Sequence, residues 1–141
     1  MSGLEQLGKL VGSWNMSGRT LDSDTDNISG HVTIEWILGG SVLQLKGKMQ
    51  IKGFEMESLE LIWHDATANA FSAHAYTSMG GNPIQYRWDI QGNTLTHSGA
   101  GATYSGTISE DGNTITGGWR PDDGKEATDG SAYDVTMVRV E

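Results

Sequence analysis

Apolar and polar residues alternate along most of this chain, with a period of two. Three segments show the pattern most clearly, residues 28–38, 41–51 and 84–91. Strict alternation is typical of a β-strand with one buried face and one exposed face. The positions predicted to face a common core are Ile28, Gly30, Val32, Ile34, Trp36, Leu43, Leu45, Gly47, Met49, Ile51, Ile84, Tyr86, Trp88 and Ile90.

Seven less regular segments bring the number of predicted strands to about ten. They cover residues 12–20, 54–64, 70–78, 93–99, 102–109, 113–119 and 131–140. Short turns rich in Gly and Asn separate most of them, and these residues accept the positive φ that tight hairpins need. Two longer connections, residues 21–27 and 120–130, are predicted to be open loops.

Two of these strands do not show plainly which face is buried. In residues 54–64 the apolar set is Leu59, Leu61 and Trp63, although Glu57 shares it. In residues 70–78 we expect Phe71, Ala73 and Ala75 to face inward. Alanines define a face poorly, so His74 and Tyr76 could face inward instead.

A short helix precedes the first strand. Leu4, Leu7, Leu10 and Val11 recur at helical spacing, but so short a helix must pack on an apolar surface. Ten successive strands, each with one apolar face, bury that face most simply when the sheet closes into a barrel. Closure also leaves no strand edge unpaired. We therefore predict a single all-β domain over residues 1–141, an antiparallel up-and-down β-barrel with the helix closing one end.

Trp14 and Arg139 are predicted to form that closure. Trp14 lies on the apolar face of the first strand, and Arg139 shares a face with the apolar residues of the last strand. A barrel places these two strands side by side. A guanidinium over an indole is stabilising by about 0.5–2 kcal/mol and can also donate to carbonyls at the end of the helix.

These residues, together with the segments LEQLGKLVGSW, LIWHDATANAFSAHAYTSMGG and GNTLTHSG, resemble the calycin superfamily. More narrowly, the chain is similar to a bacterial group of uncharacterised lipocalin-like proteins. One departure is Trp63-His64-Asp65, where that group more often has tyrosine and aspartate. The resemblance implies a barrel with an internal cavity, and it implies no reaction.

Composition narrows the classes of partner. The net charge is −9, from 18 acidic and 9 basic residues, which disfavours nucleic acid and anionic membranes. The chain has no cysteine, which suits a reducing cytoplasm. Residues 1–12 show neither a signal peptide nor a spanning helix, so we expect a cytoplasmic protein, monomeric or homodimeric.

The predicted interior is rich in aromatic residues and glycines. Glycines share the inward faces and leave room for a small hydrophobic or aromatic ligand, although the aromatic side chains could also fill the barrel completely. The ligand-binding residues that we predict are Trp36, Met49, Trp63, Tyr86, Trp88, His97, Tyr104, Trp119 and Tyr133.

His97 is the polar residue of greatest interest, since it lies on the same face as Leu95 and Gly99. It could orient a ligand, serve as a structural histidine, or act in proton transfer with Tyr86 or Tyr104. The last role would make the protein a cofactor-free isomerase or cyclase. A third possibility is a haem-binding barrel of the nitrobindin type. That type ligates iron through a histidine late in the chain, and none follows His97.

Other candidate chemistry is weak. No nucleophile elbow or zinc motif is present, so we predict no catalytic residues, no metal and no cofactor. Glu55, Glu57 and Glu60 are expected to be solvated near a barrel mouth. The segment DSDTDN imitates the start of a calcium loop, but Asn27 stands where the turn glycine is needed.

Overall fold

A computed structural model describes residues 4–67, 70–122 and 132–140. In these residues it contains the ten predicted strands. They are β1 (Gly12–Thr20), β2 (Ile28–Ile37), β3 (Val42–Ile51), β4 (Phe54–Asp65), β5 (Ala70–Thr77), β6 (Ile84–Gln91), β7 (Thr94–Gly99), β8 (Ala102–Ile108), β9 (Thr114–Pro121) and β10 (Tyr133–Val140). Most of the predicted loop over residues 120–130 lies outside the described residues.

The strands form one closed antiparallel barrel. Each strand pairs with its neighbours in the chain, and β10 pairs with β1 to complete the ring. That last pairing sets Trp14 opposite Arg139 and Gly18 opposite Val135. The predicted up-and-down barrel is therefore confirmed, and closure pairs the edges that an open sheet would expose.

A 3₁₀ helix, Leu4–Leu10, lies before β1. Its three leucines, Leu4, Leu7 and Leu10, are all buried. A 3₁₀ helix has three residues per turn, so side chains spaced by three lie on one face. A second 3₁₀ turn, Leu38–Gly40, joins β2 to β3. Neither of these helices has the length and apolar content needed to cross a membrane.

Most strands bury the face that alternation predicts. Val32 and Ile34 of β2, Leu43 of β3, and Trp88 and Ile90 of β6 are all buried. On β5 the buried residues are Phe71, Ala73 and Ala75. His74 therefore faces outward, which resolves the ambiguity of that strand.

On β4 the buried face is the opposite of the predicted one. Ile62 is completely buried and Glu60 is 8% exposed. Trp63 lies on the outside of the barrel against His74, with their ring centroids 4.9 Å apart. The inward set of β4 is thus Met56, Ser58, Glu60 and Ile62, and the prediction of Leu59, Leu61 and Trp63 was wrong.

A two-residue turn determines the facing of β4. Lys52 and Gly53 have φ values of 52° and 81°, as in the tight hairpin turns whose two central residues both have positive φ. This turn pairs Ile51 with Phe54 and Met49 with Met56. Opposed residues share a face of the sheet, so the inward set of β3 places alternate residues of β4 inward as well.

The end of the barrel beneath the N-terminal helix is closed by Trp14 and Arg139. Arg139 Cζ lies 4.3 Å from the Trp14 ring centroid. Trp14 is fully buried, and its Nε1 donates a hydrogen bond of 2.9 Å to the Leu10 carbonyl oxygen. The guanidinium donates to three backbone carbonyl oxygens, those of Lys9, Val11 and Gly112. Lys9 lies in the last turn of the helix and Val11 directly follows it, where carbonyls lack partners within the helix.

Candidate ligand-binding site

Side chains do not fill the barrel interior. A cavity of about 230 Å³ remains between the inward faces of the strands. Its lining begins at Leu10 of the N-terminal helix and reaches Met49, Met56 and Ile84 near the opposite end of the barrel. These last three are half-buried. The cavity is thus closed at the helix end and more accessible at the other.

Seven of the nine residues predicted to bind a ligand line this cavity. They are Met49, Tyr86, Trp88, His97, Tyr104, Trp119 and Tyr133. Trp36 is not part of the lining. It packs beside the N-terminal helix, where a Cβ atom at Gly8 would lie 3.5 Å from Trp36 Cζ2. Trp63 is outside the barrel, because β4 presents the other face to the interior.

Glu60 is the residue of the site that the sequence analysis missed. It was expected among solvated acids, but its side chain is 10% exposed and lines the cavity. Its Oε2 accepts a hydrogen bond of 2.7 Å from Trp88 Nε1 and lies 2.9 Å from His97 Nε2. The Lys52-Gly53 turn was the available signal, since it fixes which residues of β4 face inward.

His97 is held among aromatic rings. Its ring stacks on that of Trp88, with centroids 3.9 Å apart and planes 21° apart. Tyr86 and Trp119 lie at centroid distances of 4.5 and 5.0 Å. A carboxylate oxygen can only accept, so a neutral His97 that donates from Nε2 to Glu60 keeps Nδ1 as an acceptor. Glu60 and the rings together fix the orientation of the imidazole.

Three tyrosines, Tyr86, Tyr104 and Tyr133, line the cavity. Burial raises the pKa of Tyr104 to about 12. Burial raises the pKa of Tyr133 above its usual range, with a smaller contribution from the neighbouring Tyr86 and Tyr104. Burial, followed by the charge of Glu60, raises the pKa of Tyr86. All three hydroxyls are therefore protonated at neutral pH, and each can donate and accept a hydrogen bond.

Tyr104 Oη is buried and has no hydrogen-bond partner among the described residues. Gly106, two residues along the same strand, makes room for the tyrosine ring, since a Cβ atom there would lie 2.5 Å from Oη. Gly99 does the same for Tyr86, where a Cβ atom would lie 2.5 Å from Cδ1. Gly99 and Gly106 thus accommodate aromatic rings, whereas Gly47 lines the cavity.

The other histidines lie away from this cluster. His31 is exposed, and its Nδ1 lies 3.0 Å from Asn15 Oδ1 on the outer surface. His64 is half-buried, with its ring 5.8 Å from that of Phe71. Of the two candidates for the cavity histidine, His97 lines it and His74 lies outside.

The acidic loop after β1 is held by contacts with the end of β1 and with Lys52 of the turn between β3 and β4. Asp22 Oδ1 accepts a hydrogen bond from Thr20 Oγ1, and Asp22 Oδ2 lies 3.4 Å from Lys52 Nζ. The Thr20 hydrogen bond, followed by Lys52, lowers the pKa of Asp22. Within the described part of the chain, no group of three or more His, Asp or Glu side chains is arranged to hold a metal ion.

Comparison with known protein families matches residues 4–128 to a family described as "Protein of unknown function (DUF1579)". The chain belongs to the DUF1579 family. The match extends from the N-terminal helix beyond β9 and includes Glu60, His97 and Tyr104. No curated protein matches the sequence. The family description names no activity, so the function must be argued from the cavity itself.

Proposed function

We propose that this DUF1579 protein binds a small, largely apolar aromatic molecule inside its barrel. The observation that carries the proposal is the cavity of about 230 Å³ lined by aromatic rings, methionines and a few polar groups. Binding sites for small molecules are typically concave and apolar, with a small number of polar groups that orient the ligand. The rings of Tyr86 and Trp119 offer stacking surfaces, and the methionines adapt to irregular shapes.

The size of the cavity limits the ligand. An engineered cavity of about 150 Å³ admits benzene, whereas sites for drug-sized ligands span roughly 300–1,000 Å³. A volume of about 230 Å³ lies between them. The ligand is therefore expected to have one or two aromatic rings.

We further infer that the barrel is of the calycin type. The supporting features are the helix that covers one end, and Trp14 on β1 lying beneath Arg139 on β10. The lipocalin-like resemblance of the sequence rests on the same residues.

The residues present do not fit a haem group. His97 Nε2 is engaged by Glu60, which leaves only Nδ1 for a metal, and one face of the imidazole is covered by Trp88 at 3.9 Å. An axial ligand needs a free ring nitrogen directed at a space that can hold the porphyrin. A volume of about 230 Å³ is already below that of sites for drug-sized ligands.

A cavity-filling pair of variants tests the binding proposal. Leu45 lines the cavity, and its neighbour Lys46 is exposed on the outer face. In Leu45→Trp the indole occupies the ligand space, and in the matched control Lys46→Trp it lies outside the barrel. Naphthalene and other uncharged aromatics are then titrated by calorimetry, with native mass spectrometry as a second readout.

We expect binding to the parent protein and to Lys46→Trp, and none to Leu45→Trp. A ligand at a hundred times its Kd raises the free energy of unfolding by about 2.7 kcal/mol, so a thermal shift accompanies binding. Circular dichroism checks that Leu45→Trp is folded. The proposal would be refuted if the two variants bound the aromatics with equal affinity, or if the parent protein bound no uncharged aromatic.

A second candidate function is proton-transfer catalysis in the same cavity. The specific observation is the Glu60 carboxylate 2.9 Å from His97 Nε2, because a carboxylate that orients an imidazole is a recurrent feature of general bases. Glu60 thereby joins His97 and its tyrosine partner, Tyr86 or Tyr104, as a third residue of the candidate catalytic group. If this function holds, His97→Gln lowers turnover of a bound enolisable aromatic ketone by at least about a hundredfold while its affinity changes little.

A further inference from the structure

The polar groups of the cavity are not all paired within the protein. Tyr104 Oη is buried without a partner, and Tyr104 is 6% exposed. A buried hydroxyl that makes no hydrogen bond is unfavourable, so native structures usually pair such a group. Tyr104 also lines the cavity, so a ligand that draws the covered hydroxyl toward it would complete this hydrogen bonding.

His97 and Tyr104 are positioned to act on one ligand group. They are directly opposed residues on β7 and β8 and share the inward face. Opposed residues in an antiparallel pair have Cβ atoms about 4.5–5.5 Å apart. Trp119 lies beside both of them, with ring centroids 5.0 Å from His97 and 5.9 Å from Tyr104.

Hydrogen-bond acceptors are in excess on this part of the wall. Glu60 Oε2 accepts from Trp88 Nε1 and, when the neutral His97 carries its proton on Nε2, from His97 as well. Among the described residues, neither Glu60 Oε1 nor His97 Nδ1 takes part in an observed hydrogen bond. A ligand that meets these atoms needs a donor, and a ligand that meets Tyr104 Oη gains most if it also accepts. A hydroxyl group does both.

The charges of the site disfavour an ionic ligand. A buried carboxylate would repel an anion, and the protein as a whole carries −9. Lys48 is the one lysine or arginine that lines the cavity in the described residues, but its side chain is 58% exposed. Its Nζ lies 3.8 and 3.7 Å from Glu55 and Glu57 on the outer surface. Hydrogen bonds from Trp88 and a neutral His97 already stabilise the Glu60 carboxylate, so it does not require a cationic ligand.

We propose that the ligand is an uncharged hydroxyaromatic molecule of one or two rings, whose hydroxyl donates toward the Glu60–His97 pair and accepts from Tyr104. This inference rests on the proposed binding function and names its ligand class. The ring system lies against Trp119 and Tyr86, and the apolar half of the cavity takes the remainder. Phenols and naphthols are the simplest members of the class.

Four probes of similar size separate the contributions to binding. Naphthalene reports the affinity that apolar contacts alone provide. Relative to it, 2-methoxynaphthalene adds a hydrogen-bond acceptor, and 2-naphthol adds both a donor and an acceptor. The fourth probe, 2-naphthoate, adds a negative charge. Isothermal titration calorimetry at neutral pH gives a Kd for each. We expect 2-naphthol to bind at least about tenfold tighter than naphthalene or the methyl ether, and 2-naphthoate to bind weakest.

Two conservative variants locate the hydroxyl contact. Tyr104→Phe and Glu60→Gln should each raise the Kd for 2-naphthol by about tenfold. The Kd for naphthalene should stay within about twofold of the value for the parent protein. Tyr76→Phe is the matched control, because Tyr76 is 43% exposed outside the barrel. Its affinities for all four probes should equal those of the parent protein.

The outcomes distinguish this inference from the function on which it rests. The hydroxyl contact is refuted if naphthalene binds as tightly as 2-naphthol, or if Tyr104→Phe weakens the binding of neither probe. The apolar binding function stands in both cases. Tightest binding of 2-naphthoate, or of a naphthylmethylammonium cation, refutes the uncharged class. If no probe binds, naphthalene included, the proposed function itself is refuted.

Discussion

Replacement of Arg139 by methionine should destabilise the barrel at its closed end. Methionine retains an unbranched apolar side chain and removes only the guanidinium. The structure assigns that group one contact with the Trp14 ring and hydrogen bonds to three carbonyl oxygens. The ring contact accounts for about 1 kcal/mol, and the three hydrogen bonds for about 2 kcal/mol in total, because one of them is exposed and the other two are only partly buried.

The expected loss in the free energy of unfolding is therefore about 3 kcal/mol, which corresponds to a fall in Tm of roughly 10 °C for a chain of this size. Urea titration followed by circular dichroism measures the first quantity, and calorimetry the second. Arg139→Lys keeps the charge but not the planar fork, so it should lose about half as much. Arg87→Met, at an exposed position of β6, controls for the change in net charge.

This account of the closed end would be refuted if Arg139→Met and Arg87→Met lowered the free energy of unfolding by amounts within about 0.5 kcal/mol of each other. Trp14 and the leucines of the N-terminal helix would then hold that end by apolar contact alone.

Three further predictions concern the cavity wall. Tyr104→Phe should leave the unliganded protein as stable as the parent or more stable by up to about 1 kcal/mol, since it removes an unpaired buried hydroxyl; a loss above about 1 kcal/mol in urea titration would contradict this. Unfolding exposes Tyr104 and returns its pKa from about 12 toward 10.0, so the free energy of unfolding should fall as pH rises from 10 to 12, by about 2 kcal/mol from this residue. Urea titrations across that range should show a shallower fall in Tyr104→Phe than in the parent. Gly106→Ala should lower the free energy of unfolding by about 1–3 kcal/mol, because its Cβ would lie 2.5 Å from Tyr104 Oη. Gly47→Ala should lower it by less, since the nearest contact there is at 3.4 Å. Equal losses in the two variants would refute the steric argument.

The architecture could be predicted because it follows from local patterns. Alternation fixes each strand, glycines mark the hairpins, and ten strands with one apolar face require closure. The register of Trp14 and Arg139 could be anticipated for the same reason, since closure sets the first and last strands side by side. Of the seven predicted residues that line the cavity, Met49, Tyr86 and Trp88 lie on strands whose alternation is clear.

The error on β4 has a physical cause. Alternation shows that a strand has two unlike faces, but it does not say which one lies inside a barrel. The outer face of β4 carries Trp63, and the inner face carries Glu60, so hydrophobicity alone points the wrong way. Pairing through the Lys52-Gly53 turn carries the missing information.

The partnership of Glu60 and His97 lies beyond what the sequence indicates. The two residues are 37 positions apart, and their strands, β4 and β7, are not neighbours in the sheet. Their side chains meet across the barrel interior. Contacts of this kind depend on the curvature of the closed sheet, which no sequence spacing encodes.

The pairing of β1 with β10 also sets the order of events when the chain is synthesised. Of the ten strands described, β1 is made first and β10 last, and the Arg139 contact with the Lys9 carbonyl spans 130 positions. Every other pairing among these ten joins consecutive strands, and it can form as soon as the second strand leaves the ribosome. Until β10 emerges, the growing sheet has a free edge at β1 and can add a strand from another molecule. Closure of the ring is then the last and least local step of folding.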